Sequence, residues 1–75
     1  MSSDSHEVLI EQLRKLEYSI RQSITVREDQ EEDVDPVHRS EAERLGIAGT
    51  SLISKGDLLN AVQTALRAAV RDSGR

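Results

Sequence analysis

Leu45-Gly46-Ile47-Ala48-Gly49-Thr50-Ser51-Leu52-Ile53-Ser54-Lys55-Gly56-Asp57-Leu58-Leu59 decides the fold of this chain. It holds three of the four glycines. Gly46 stands where a helix stops, and Ile47 is placed for the hydrophobic contact that accompanies such stops. Ala48 to Ile53 is too short for a helix and contains Gly49, so it reads as a short extended crossing. Ser54 then caps a new helix, with Asp57 three positions on as the acidic partner of a capping box. The stretch is a junction between two helices.

Working outward, Pro36 to Leu45 reads as a short helix. Asp35 is placed to cap it and Pro36 suits its first position, while Val37, Ala42 and Leu45 are expected to face inward. Downstream, Leu58, Leu59, Val62, Ala65, Leu66, Ala69 and Val70 recur at helical spacing and form one apolar face. Asn60, Thr64, Arg67 and Arg71 form the opposite, polar and basic face. Residues 73–75 are expected to fray.

Upstream, residues 1–27 read as a helical arm. Asp4 is placed to cap it, with Glu7 three positions on. Leu9, Leu13, Leu16 and Ile20 follow at spacings of four, three and four, a heptad seam that fades at Ser23 and Arg27. Two heptads allow two readings: a seam that pairs two chains, or a stripe packed on the C-terminal helices of the same chain. The thin core favours the homodimer. Between arm and junction, six of the eight residues from Glu28 to Asp35 are acidic. Such runs repel themselves and stay solvated, so 28–35 reads as a mobile acidic linker. The alternatives are a mimic of a phosphate backbone or a strap over a basic face.

The whole is an all-α chain, an arm followed by a helix–extension–helix module at 36–72. Its 75 residues make one small domain with one tyrosine and no phenylalanine or tryptophan. A domain of about 60 residues buries only about 60% of its unfolded surface, so outside support is expected. There is no cysteine, which excludes disulfides and thiolate metal sites. His6 and His38 are far apart and have no metal-ligand spacing. No nucleophile–base pair or phosphate loop is present, and the sequence calls for no enzyme activity, cofactor or metal. No apolar run is long enough to span a bilayer, and Met1 to Ser5 lack a secretory pattern, so a cytoplasmic chain is expected. The net charge of −4 divides into −6 over 1–38 (ten acids, four bases) and +2 over 39–75 (six bases, four acids). An acidic half beside a basic half hints at nucleic-acid contact.

The junction resembles the N-terminal domain of transcription termination factor Rho and its SAP-like relatives. Ala42, Leu45, Gly46, Ile47, Gly49, Ser51, Ile53, Lys55, Asp57, Leu58, Leu59, Ala61 and Val62 follow that family's pattern without a gap. The likeness covers about residues 37–70. It departs at Glu41, where the family usually offers a large apolar residue. A lesser likeness is to the subunit-binding domain of 2-oxo-acid dehydrogenase acyltransferases, through Gly49-Thr50 and Ile53-Ser54-Lys55-Gly56-Asp57. The loop here is shorter than theirs.

The Rho-like resemblance implies nucleic-acid binding, with the crossing and the start of the second helix near the backbone. The residue chemistry allows it. The first N–H groups of a helix lack intrahelical partners and sit at the positive end of its dipole. Lys55, Ser51, Ser54 and Gly49 stand there, and Arg39 and Arg44 of the preceding helix are placed to add phosphate contacts. With few bases and no stacking aromatic, such binding to DNA or RNA would be mostly nonspecific and salt-sensitive. A dimer joined through Leu9, Leu13, Leu16 and Ile20 would present two modules. The other reading is a protein-interaction or assembly adaptor, in which the glycines and caps are purely architectural.

Overall fold

A computed structural model describes residues 2–47 and 54–73, with side chains from His6. Three helices follow in order: α1 (Ser2–Ser23), α2 (Pro36–Arg44) and α3 (Lys55–Ser73), with a 3-10 turn at Arg27–Glu31 between the first two. The fold is all-α, as the periodicity predicts. Among the described residues the sole extended pairing is a bridge between Asp33 and Ser54. The molecule measures 40 × 20 × 15 Å.

α1 begins at Ser2, so Asp4 lies in its first turn instead of capping it. The helix ends at Ser23, whose hydroxyl donates to the Ile20 carbonyl at 2.6 Å. That bond caps the chain's exit from the helix, which ends where the heptad seam fades and four residues short of the expected bound of the arm at Arg27.

α3 runs back along α1. Near one end Lys55 reaches the carbonyl of Ser23, and further along Gln63 donates to the Glu17 carboxylate at 3.0 Å. Between the two helices lie Leu13, Leu16 and Ile20 of α1 and Leu58, Val62 and Ala69 of α3, all buried. Leu9 packs on them, half-buried. The seam expected to pair two chains is therefore filled by α3 of the same chain. The physical reason is simple: α3 offers a complementary stripe at the same helical spacing, and closing it within one chain carries no association cost.

α2 forms as its sequence dictates. The Asp35 carboxylate accepts from the Val37 amide at 2.9 Å, and Pro36 opens the helix. At the other end the Ile47 amide donates to Ala42 and the Gly46 amide to Glu43. That is the paired hydrogen-bond pattern of a left-handed helix stop, and Gly46 has φ +86°. Ala42 is fully buried, and Leu45 and Ile47 pack beside it. Val37, expected to face inward, is 68% exposed. The helix has only nine residues, and in its first turn His38 and Arg39, not Val37, are the part-buried side chains.

The acidic segment is the largest departure from expectation. It is not a free linker. Val34 is 4% exposed and belongs to the core, Asp33 bridges Ser54, and Glu32 is tied to Lys55. Burying one valine and pairing three polar groups outweighs the solvation that a charge run otherwise prefers. The carboxylates can still point to water, because only the backbone and Val34 need to pack.

Candidate nucleic-acid interface

Local hydrogen bonding decides how the residues around the start of α3 are used. Ser54 behaves as a cap: its hydroxyl accepts from the Asp57 amide at 3.3 Å, and its carbonyl takes the Leu58 amide. The Lys55 amide, which in an isolated helix has no partner, donates to the Glu32 carbonyl at 2.9 Å. One residue further, a Cβ placed on Gly56 would stand 3.2 Å from both the Cβ and the carbonyl oxygen of Gln30. The acidic segment thus lies directly on the helix start. A side chain at 56 would press on Gln30, which would have to give by a few tenths of an ångström, so glycine lets the two segments lie this close.

The Lys55 side chain is engaged as well. Its ammonium lies 3.3 Å from the Ser23 carbonyl and 3.3 Å from the Glu32 carboxylate, with only 15% of the side chain exposed. It joins the end of α1, the acidic segment and the start of α3. Lysine suits this position because its long apolar stem crosses the core edge while its head meets two oxygens.

The acidic segment has its own anchor. The Asp29 carboxylate accepts from the Thr25 hydroxyl at 2.8 Å, from the Thr25 amide at 3.0 Å and from the Val26 amide at 3.1 Å. These bonds, the Thr25 hydroxyl foremost, hold the Asp29 carboxyl below its ordinary value of 3.8. They fix the 3-10 turn so that Gln30 and Glu32 meet α3.

The arginines of α2 part company. Arg44 is exposed and pairs with Glu41 at 2.8 Å, with a longer contact to Gln12 of α1. Its hydrogen bond to Glu41, reinforced by charge, lowers the Glu41 carboxyl from 4.5 and raises the Arg44 guanidinium. Arg39 is half-buried, with its Nε enclosed and lacking a hydrogen-bond partner. Gly49 and Ser51 lie outside the described residues. Of the expected phosphate contacts, then, Ser54 and Lys55 come together, but as parts of an internal latch, and Arg44 serves a helix–helix contact. The sequence carried one signal for the latch that a charge count misses: Val34, the lone apolar residue in the acidic run.

Among the described residues no group of three or more His, Asp or Glu side chains is arranged to hold a metal ion. No helix there is long and apolar enough to cross a membrane. The class the geometry defines is a small all-α hairpin, α1 on α3, buttressed by a short third helix. No family model, curated protein or solved structure matches the chain.

Proposed function

We propose that this chain is a non-enzymatic protein-interaction or assembly module. One observation carries the reading. The helix start that a phosphate would need is covered by the chain's own Gln30, Glu32 and Asp33, and its lysine is already paired. An anion approaching Lys55 meets the Glu32 carboxylate on a chain of net charge −4, which disfavours phosphate. Gly46, Gly56 and the Ser54 cap then serve architecture alone.

A second reading is favoured by one feature, the exposed stripe Asn60, Thr64, Arg67 and Arg71 on α3. On it, the Rho-like module binds nucleic acid through the outer face of its second helix, weakly and through phosphates. Titration of labelled duplex DNA and single-stranded RNA at low and moderate salt separates the two. The interaction reading expects no binding at either salt. Salt-weakened binding that Arg67→Glu reduces would replace it with the second.

A further inference from the structure

We propose that the side of the α1–α3 hairpin carrying Arg14 and Tyr18 is a docking surface for a second copy of this chain, forming a four-helix dimer. The proposal deepens the interaction reading above by naming the partner.

The surface follows from helical register. Arg21 and Ile24 of α1 share a groove with Leu59 and Gln63 of α3. By helical register Ile10 of α1 and Leu66 and Val70 of α3 lie on the same side, and Ile10 lines a second hollow with Glu7, Glu11 and Arg14. Ile10, Ile24, Leu59 and Leu66 pack on the core yet remain partly exposed, and Val70 is 43% exposed. Bordering them stands Tyr18, the chain's one aromatic residue, 66% exposed between Arg14 and Arg21. Tyrosine and arginine are the residues enriched at protein interfaces and their hot spots.

Charge says which partner fits. On this side α1 carries Glu7, Glu11, Arg14, Glu17 and Arg21, and α3 adds Arg67. Three acids balance three arginines, so the face is neutral while the rest of the chain holds the whole net charge of −4. Two copies can therefore meet on this side without net repulsion. Opposite signs at 14 and 17 also make the face self-complementary. A two-fold axis crossing α1 between them sets Arg14 against Glu17 of the second copy, twice, as an isologous interface requires, while Oε2 of Glu17 keeps its hydrogen bond from Gln63 of its own chain.

The area is sufficient for a modest dimer. Two adjacent helices of 22 and 19 residues present roughly 30 × 20 Å, about 600 Å² a side, from helix dimensions. Doubled, that reaches the lower end of specific interfaces, about 1,200 Å² in total. The dimer is accordingly concentration-dependent.

Sedimentation equilibrium of the full chain from micromolar to millimolar concentration, with circular dichroism on each variant, tests this. The wild type is expected to pass from monomer to dimer. Arg14→Glu should weaken the dimer at least tenfold with the helical signal intact. Tyr18→Ala, on the same surface and outside the core, should weaken it as well. A chain that stays monomeric at millimolar concentration overturns the proposal, and so does a dimer indifferent to Arg14→Glu. If Arg14→Glu unfolds the chain, Tyr18→Ala reads the same surface, and a dimer unmoved by it is equally contrary. A monomer that also ignores DNA and RNA defeats the second-copy proposal alone, whereas salt-sensitive nucleic-acid binding defeats the reading beneath it.

Discussion

Two ends of α3 are held by different physics. Along most of its length the helix is fixed by apolar packing, with Leu13, Leu16 and Ile20 closing on Leu58, Val62 and Ala69. At its start it is fixed by polar bonds: the Glu32 carbonyl on the Lys55 amide, the Ser23 carbonyl and Glu32 carboxylate on the Lys55 ammonium, and the Ser54 cap. The apolar seam is non-directional and supplies most of the stability. The polar latch is directional and supplies position. It decides that the acidic segment lies over the helix start and not away from it.

The two ends can be broken separately. A chain of 75 residues has a total stability of about 4–11 kcal/mol on the usual per-residue scale. Leu13→Ala, at a site 1% exposed, should remove about 2–5 kcal/mol, lowering the thermal midpoint steeply and loosening both ends together. Denaturant unfolding measures it, and a loss below about 1 kcal/mol would mean that the seam is not the core.

Lys55→Ala acts on the other end. It strands the Ser23 carbonyl and frees Glu32, at a cost of about 1–3 kcal/mol for an unmade bond to a part-buried group. The amide resonances of residues 28–35 should shift while those around Val62 stay. Loss of the whole fold instead would merge the two ends into one unit.

Gly46→Ala is smaller, about 1–2 kcal/mol. Its Cβ would meet no atom within 4 Å, so the cost comes from φ +86° alone. Equilibrium unfolding should show the loss with the helical spectrum unchanged. The smallest effect is titration of Asp29. Its carboxyl is lowered in the folded chain, so its contribution is present above the ordinary value of 3.8 and disappears as pH falls through the lowered one. The Thr25 and Val26 amides should report a midpoint below 3.8 in an acid titration.

How far the sequence carried each end differs for the same reason. The seam was legible as a stripe, because heptad spacing is set by helix geometry. Its partner was not, because Leu9, Leu13, Leu16 and Ile20 would suit a second chain as well as α3. The α2 boundaries were legible in Asp35, Pro36 and Gly46, each of which makes the local bond its type favours. The latch was illegible. Charge composition describes the side chains of residues 28–35, while what holds this segment is a backbone carbonyl and one valine. Lys55 was visible at the helix start, but its two oxygen partners come from residues 23 and 32, brought there only by the hairpin. For the same reason the phosphate-binding role expected of Ser54 and Lys55 loses its support: the groups that would serve it are already used.

Amide hydrogen exchange at Lys55 tests the latch most directly. First-turn amides of a helix ordinarily exchange freely, for want of an intrahelical acceptor. The Glu32 carbonyl at 2.9 Å should make Lys55 the exception. Its amide should be clearly protected in the wild type and lose that protection, while Val62 keeps its own, when Gly56→Leu wedges Gln30 off the helix. A Lys55 amide exchanging at the rate of an exposed peptide in the wild type would contradict the closed start of α3, and would reopen that site to phosphate.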